Sequence, residues 1–179
     1  MKKTIINPVI KDQVTFTQTA LETNGRITSL LVKLMPGGGT PMHYHTNFSE
    51  TFAVVEGALT LTTKKGKLRL LPGQKYTVEK GIAHRFSNEG GEPVTFTTII
   101  LPGSTGFENA LRILYGLAED GATNKKGVPK SLQSLAVISN MSDMHASGIG
   151  AIFTPLFGIL IRIAKRRGLE KKLLEQYCI

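Results

Sequence analysis

A chain of 179 residues is long enough for one full domain with a sizeable core and an appendage. At 41% hydrophobic and 20% charged residues it falls outside the disordered class, and its single cysteine, Cys178, rules out an internal disulfide. The formal net charge of +9 is spread along the chain: residues 1–105 hold twelve Lys and Arg against seven Asp and Glu, and residues 106–179 hold ten against six. No nucleic-acid motif and no basic stretch interleaved with aromatics accompanies it, so the charge reads as a solvated surface and nucleic acid is not an expected partner. The opening MKKTIINPVI has two lysines, but Asn7 and Pro8 interrupt the apolar run a secretory signal needs. A cytoplasmic location is therefore expected.

Up to about residue 101 the pattern is one of short strands and turns. Val14 to Ala20 alternates apolar and polar residues as a half-buried strand does, Asn24-Gly25 signals a tight hairpin turn, and Arg26 to Met35 reads as a second strand. Further strands are expected at Glu50–Val55, Ala58–Thr63, Lys67–Leu71, Gln74–Val78, His84–Ser87 and Pro93–Leu101, with Glu56-Gly57, Lys64–Gly66 and Pro72-Gly73 as turns. Many short, evenly spaced strands with Gly/Pro turns indicate an all-β sandwich or barrel.

At Gly103 the character changes. Thr105-Gly-Phe-Glu108 fits a capping box, and Phe107, Ala110, Leu111, Leu114 and Tyr115 follow helical spacing until Asp120-Gly121. Pro129 is placed in the first turn of a second helix with Leu132, Leu135, Ala136 and Ser139 on one side. A third helical stretch is expected from near His145 to Arg167, and a short last helix from Leu169 to Tyr177. Within the third, Ala146 to Ile161 are uncharged and are followed by Arg162, Lys165, Arg166, Arg167, Lys171 and Lys172. A membrane-spanning helix needs about 20 apolar residues. Peripheral membrane contact through 146–172 would fit the basic run, but the favoured reading is a helix burying Ile149, Ile152, Phe153, Leu156, Leu160 and Ile163 on its own barrel or a partner subunit. The expected assembly is a homodimer.

The histidines carry the chemistry. His43 and His45 stand two apart, so on an extended chain both point to one face, and Glu50 follows. Alone, the pair fits a divalent metal site or a surface His-x-His loop equally well. His84 follows Gly81, which allows the tight approach into its strand. His145, in NMSDMH, reads as a helix-start residue and the neighbouring Met141 and Met144 as core or interface. Arg26 and Arg85 are candidate anion partners, and Cys178 is incidental rather than nucleophilic.

Two stretches resemble the paired motifs of the cupin superfamily. Gly37, His43, His45, Glu50 and Gly57 match the first, G(X)5HXH(X)4E(X)6G. Gly73, Gly81, His84 and Asn88 match the second, G(X)5PXG(X)2H(X)3N, in which Glu79 stands where the motif has proline. The spacer from Ala58 to Pro72 is similar to that of compact microbial members, and the resemblance covers about residues 30 to 101. It implies a mainly β fold, a cupin-type double-stranded β-helix or jelly-roll barrel over residues 1–103, followed by an α-helical C-terminal extension over 104–179. It also implies that His43, His45, Glu50 and His84 converge on one divalent metal ion per chain. Such a donor set suits Mn, Fe, Co, Ni, Cu or Zn, with Fe, Mn, Ni or Zn expected here, and leaves two open positions of six. Phe52, Tyr76 and Phe86 are the expected substrate-binding wall; no clear general base is evident beyond Tyr76 and any metal-bound hydroxide. The function expected is that of a metal-dependent oxygenase, isomerase or lyase acting on a small organic substrate. The alternative is a non-catalytic cupin that binds or senses a small ligand or metal.

Overall fold

The computed structural model describes residues 2–147 and 154–178, without the side chains of 154–156. Its strands are β1 (Thr4–Asn7), β2 (Asp12–Gln18), β3 (Thr28–Leu34), β4 (His43–Tyr44), β5 (Ser49–Glu56), β6 (Leu59–Thr63), β7 (Gly66–Leu70), β8 (Lys75–Val78), β9 (His84–Ser87), β10 (Val94–Leu101) and β11 (His145–Ala146). The helices are α1 (Thr105–Glu119), α2 (Leu132–Met141), α3 (Thr154–Arg166) and α4 (Leu169–Tyr177). Among the described residues, no helix is long and apolar enough to cross a membrane.

The strands form two antiparallel sheets, a six-stranded one in the order β1-β2-β3-β10-β5-β8 and a five-stranded one in the order β11-β4-β9-β6-β7. This is the double-stranded β-helix expected, with a helical extension after it. Period-2 alternation builds the barrel core: β10 turns Val94, Phe96, Thr98 and Ile100 inward, and β5 turns Glu50, Phe52 and Val54 inward. The strands read from the sequence agree with those observed to within two residues at each end. Asn24 and Gly25 do take the left-handed conformation, at φ 52° and 76°, but within the loop 19–27 rather than in a two-residue hairpin.

Gly57 explains itself by a close approach. Its φ is +80°, and a Cβ there would lie 2.7 Å from the Pro93 carbonyl oxygen. Asn88 is a clamp: its amide nitrogen donates to the Leu34 carbonyl at 3.0 Å and the Glu92 carbonyl at 2.8 Å, while its oxygen accepts from Gly90 N–H at 3.0 Å.

The helix starts differ from the sequence reading. Ser104, not Thr105, caps α1, its hydroxyl accepting from Phe107 N–H at 3.1 Å. Glu108 leaves the helix end altogether. Its carboxylate is buried against the barrel and accepts from Ala20 N–H at 2.6 Å and the Thr28 hydroxyl at 2.5 Å. A capping box is a local bargain, and two donors presented by the barrel outbid it with charge-assisted bonds. Ser131 caps α2, and Pro129 lies before the helix in a bridge to Thr123. The buried side of α2 is Ser134, Ala136, Val137 and Ile138; Leu132 is exposed.

Helix α1 has two working faces. Phe107 and Tyr115 join the barrel core, while Ala110, Ile113 and Leu117 join a second core with Val137, Ile138, Ala164 and Leu173. Helices α2, α3 and α4 thus pack on one another over α1. Of the apolar side expected on α3, Leu160 and Ile163 are half-buried; Ile149, Ile152 and Phe153, and the side chain of Leu156, lie outside the described residues. The third helical stretch does not begin near His145: that residue is in β11.

Asp12 and Tyr115 tie β2 to α1 through a buried hydrogen bond of 2.5 Å from the phenol to the carboxylate. Burial pushes the Asp12 carboxyl up from 3.8 to about 7, against the effect of the Tyr115 bond. Between those values the unfolded chain has released a proton that the folded chain keeps. Stability therefore falls as pH rises from about 4 to about 7 and levels off above. Asp12→Asn should flatten that fall in thermal melts across the window; parallel curves for the two proteins would refute the assignment. Asn88→Ala leaves one buried carbonyl, of Leu34, and one partly buried carbonyl, of Glu92, without their donor and should cost about 2 kcal/mol in denaturant unfolding, a loss below about 0.5 kcal/mol counting against the clamp.

Candidate metal centre

Cross-strand pairing assembles the site. His43 on β4 stands directly opposite His84 on β9, so the two side chains share the inward face. His45 follows one residue beyond β4 and returns to that face. Glu50 arrives from β5 of the other sheet. One donor atom from each of His43, His45, Glu50 and His84 can be chosen so that all lie within 4.8 Å of one another. All four residues are buried, His84 at 2% exposure and His43, the most open, at 6%.

The imidazoles are oriented by their outer nitrogens. His43 Nδ1 lies 2.8 Å from the Pro41 carbonyl, His84 Nδ1 2.9 Å from the Ile82 carbonyl, and His45 Nδ1 3.0 Å from the Asp143 carbonyl. A carbonyl only accepts, so each Nδ1 carries hydrogen and each Nε2 is left to the interior. His84 Nε2 meets Glu50 Oε2 at 2.7 Å, and His45 Nε2 lies 3.5 Å from the same oxygen. His45 Nε2 has no hydrogen-bond partner among the described residues although it is buried.

Electrostatics follow from this packing. Burial alone would raise the Glu50 carboxyl, but the nearby His45 and His84 imidazoles, the latter hydrogen-bonded to it, hold it well below the usual carboxylate range. Burial opposes the charged form of His84, and the bond to Glu50 outweighs it, raising its pKa. His43 is lowered to about 4, first by burial, so it is a neutral imidazole near pH 7.

The residues fit a divalent ion. Neutral or neutralisable imidazoles with inward Nε2 atoms, one carboxylate and an unpartnered buried nitrogen make a group that could hold one. Donor atoms that all lie within 4.8 Å of one another are close enough for one ion to be shared among them.

The expected wall is partly at the site. Phe52 is buried with its ring 6.0 Å from His84 and 5.8 Å from Phe86. Phe86 is half-buried and follows His84 on the same face. Tyr76 is half-buried and pairs with Phe52 across β5 and β8, which places it on the inward face two positions from the partner of Glu50. Phe48 and Phe107 were not expected there: Phe48 stacks on His45 at 4.4 Å, and Phe107 of α1 meets both His45 and Phe48. The arginines are elsewhere. Arg26 is exposed and donates to the Thr23 carbonyl, and Arg85 alternates to the face opposite His84. Cys178 is half-buried; burial pushes its thiol up, so it is not an activated nucleophile.

Sequence reasoning missed Asp143. It sits at φ 51°, and its carboxylate accepts from Thr46 N–H and Asn47 N–H, each at 2.6 Å, and from the Thr46 hydroxyl at 2.8 Å. Burial works against its charge, and these bonds with that of His145 hold its pKa below the ordinary value. His145, read as a helix start, instead pairs with Tyr44 in β11·β4, stacks on its ring at 5.0 Å, and donates to Asp143 from Nε2 at 2.9 Å. The one available signal was an aspartate, tolerant of the left-handed region, between two helical stretches.

No curated protein matches the chain. Solved structures to which the chain is similar include a sugar phosphate isomerase of a cupin superfamily from Silicibacter pomeroyi DSS-3, at 26% identity and a TM-score of 0.46 over 50% of this chain. The chain spans 59% of the length of that isomerase. A predicted oxalate decarboxylase from Thermotoga maritima is 16% identical at a TM-score of 0.49, covering 51% of this chain and 80% of that one. The polyketide cyclase of Streptomyces resistomycificus is 19% identical at 0.47, covering 51% and 65%. The family model described as Cupin domain matches residues 30–100. That match spans both motifs and the inward-facing His43, His45, Glu50 and His84, so residues 30–100 are a cupin domain.

Proposed function

We propose that this cupin binds one divalent metal ion through His43, His45, Glu50 and His84 and acts as a metal-dependent enzyme on a small organic molecule, by oxygenase, isomerase or lyase chemistry. The observation that carries the reading is the convergence of three imidazoles and one carboxylate, each imidazole oriented through Nδ1 by a backbone carbonyl. When bound, a divalent ion supplies Lewis acidity for a carbonyl, an activated water or a bidentate anion. The chain's own residues then do the rest. Phe52 and Phe86 exclude water beside His84, and the Tyr76 hydroxyl is the group that could hold or move a proton on the inward face. In this reading residues 1–103 carry the site and residues 104–179 support it.

A second reading is favoured by one observation: the four donors are buried in the barrel, and Phe48 and Phe107 lie against His45. A buried metal site suits a protein that holds a metal or small ligand without turnover.

Metal analysis of protein purified without chelator tests the shared claim. About one ion per chain is expected, from Fe, Mn, Ni or Zn, with His84→Ala binding at least about tenfold more weakly. Protein that contains none and takes up none of the four would overturn it. Turnover or oxygen uptake by the loaded protein over a substrate panel supports the enzyme; saturable ligand binding without turnover supports the second reading.

A further inference from the structure

We infer that Asp143, supplied by the C-terminal extension, is a positioning residue of the metal centre that aims His45; the inference rests on the metal-binding reading above. The three imidazoles are anchored unequally. His43 and His84 each find a carbonyl two residues earlier, at Pro41 and Ile82, so their anchors fold with them. His45 finds its carbonyl 98 residues later, at Asp143. The same residue's carboxylate gathers the two backbone N–H groups and the hydroxyl that follow His45, at Thr46 and Asn47. Backbone and side chain of one residue thus hold the whole turn from His45 to Asn47.

Asp143 is itself held from both sides. Before it, α2 closes on Ser142, whose hydroxyl donates to the Ile138 carbonyl at 2.8 Å, with Val137 and Ile138 in the helical core. After it, β11 pairs His145 with Tyr44 and Ala146 with His43, adding an edge strand to the sheet that bears the ligands. A left-handed φ at a non-glycine residue costs stability unless its surroundings repay it, and here five contacts to His45, Thr46, Asn47 and His145 do so. The cupin match ends at residue 100, so this anchor comes from outside the family domain. Outer partners of a ligating histidine typically set metal affinity by 10–100-fold. The affinity of this site is therefore linked to the seating of residues 132–146.

Full-length protein is titrated with Co2+ and followed by its visible absorption, beside Asp143→Gly and Asp143→Asn. Glycine keeps the left-handed backbone and removes the carboxylate; asparagine keeps the shape and removes the charge. Asp143→Gly should bind Co2+ about tenfold more weakly with an altered band, and Asp143→Asn should fall between it and the wild type. A merely structural role would lower the melting temperature of the metal-free protein and leave affinity and band unchanged, which would overturn the inference. If the glycine variant does not fold, the asparagine variant decides, and wild-type affinity in it overturns the inference. Wild-type protein that takes up no Co2+, Fe, Mn, Ni or Zn overturns the metal reading itself, and this one with it.

Discussion

A carboxylate buried between two sheets has to be paired, and the pairing of Glu50 is what the rest of this site depends on. Removing an ionised carboxylate from water is costly, and the cost is met only by close opposite charge and hydrogen bonds. Glu50 comes from the six-stranded sheet and its partners, His84 and His45, from the five-stranded one. The interaction therefore holds the two layers in one relative position. It also demands register: with His43 opposite His84, a slip of one residue on either strand would turn an imidazole to the outer face.

Helix α1 extends the same logic outward. Glu108 places a second carboxylate against the barrel, on Ala20 and Thr28, and Tyr115 reaches Asp12 on β2. With Phe107 beside His45, the helix is at once a wall of the site and the base on which α2, α3 and α4 pack. The extension also lies against the His45 side of the site. Phe48 and Phe107 cover His45 on one side, and the loop at Asp143 grips the chain that follows it.

Strands were legible in the sequence because they obey a local rule. Alternation over Arg26–Met35 or Pro93–Leu101 is visible in any half-buried strand, and Pro72-Gly73 or Glu56-Gly57 marks where it stops. The two-residue strands β4 and β11 are too short to show a period, so the second of these was read as helix. The capping box at Thr105–Glu108 was a sound local reading overturned from a distance. Glu108 takes the donors of residues 80 and 88 positions away, which no window on the sequence contains.

The sequence by itself determined the strands and an all-β sandwich or barrel, because alternation is a short-range property of the chain, and the resemblance of its two motifs to those of cupins pointed to His43, His45, Glu50 and His84 as candidate donors. Only the tertiary structure decided that α1 supplies Phe107 to the site, that His145 is a strand residue, and that the carbonyl orienting His45 belongs to Asp143. Those contacts join segments tens of residues apart, and their geometry is set by the packing of the helical extension on the barrel rather than by any pattern within a segment.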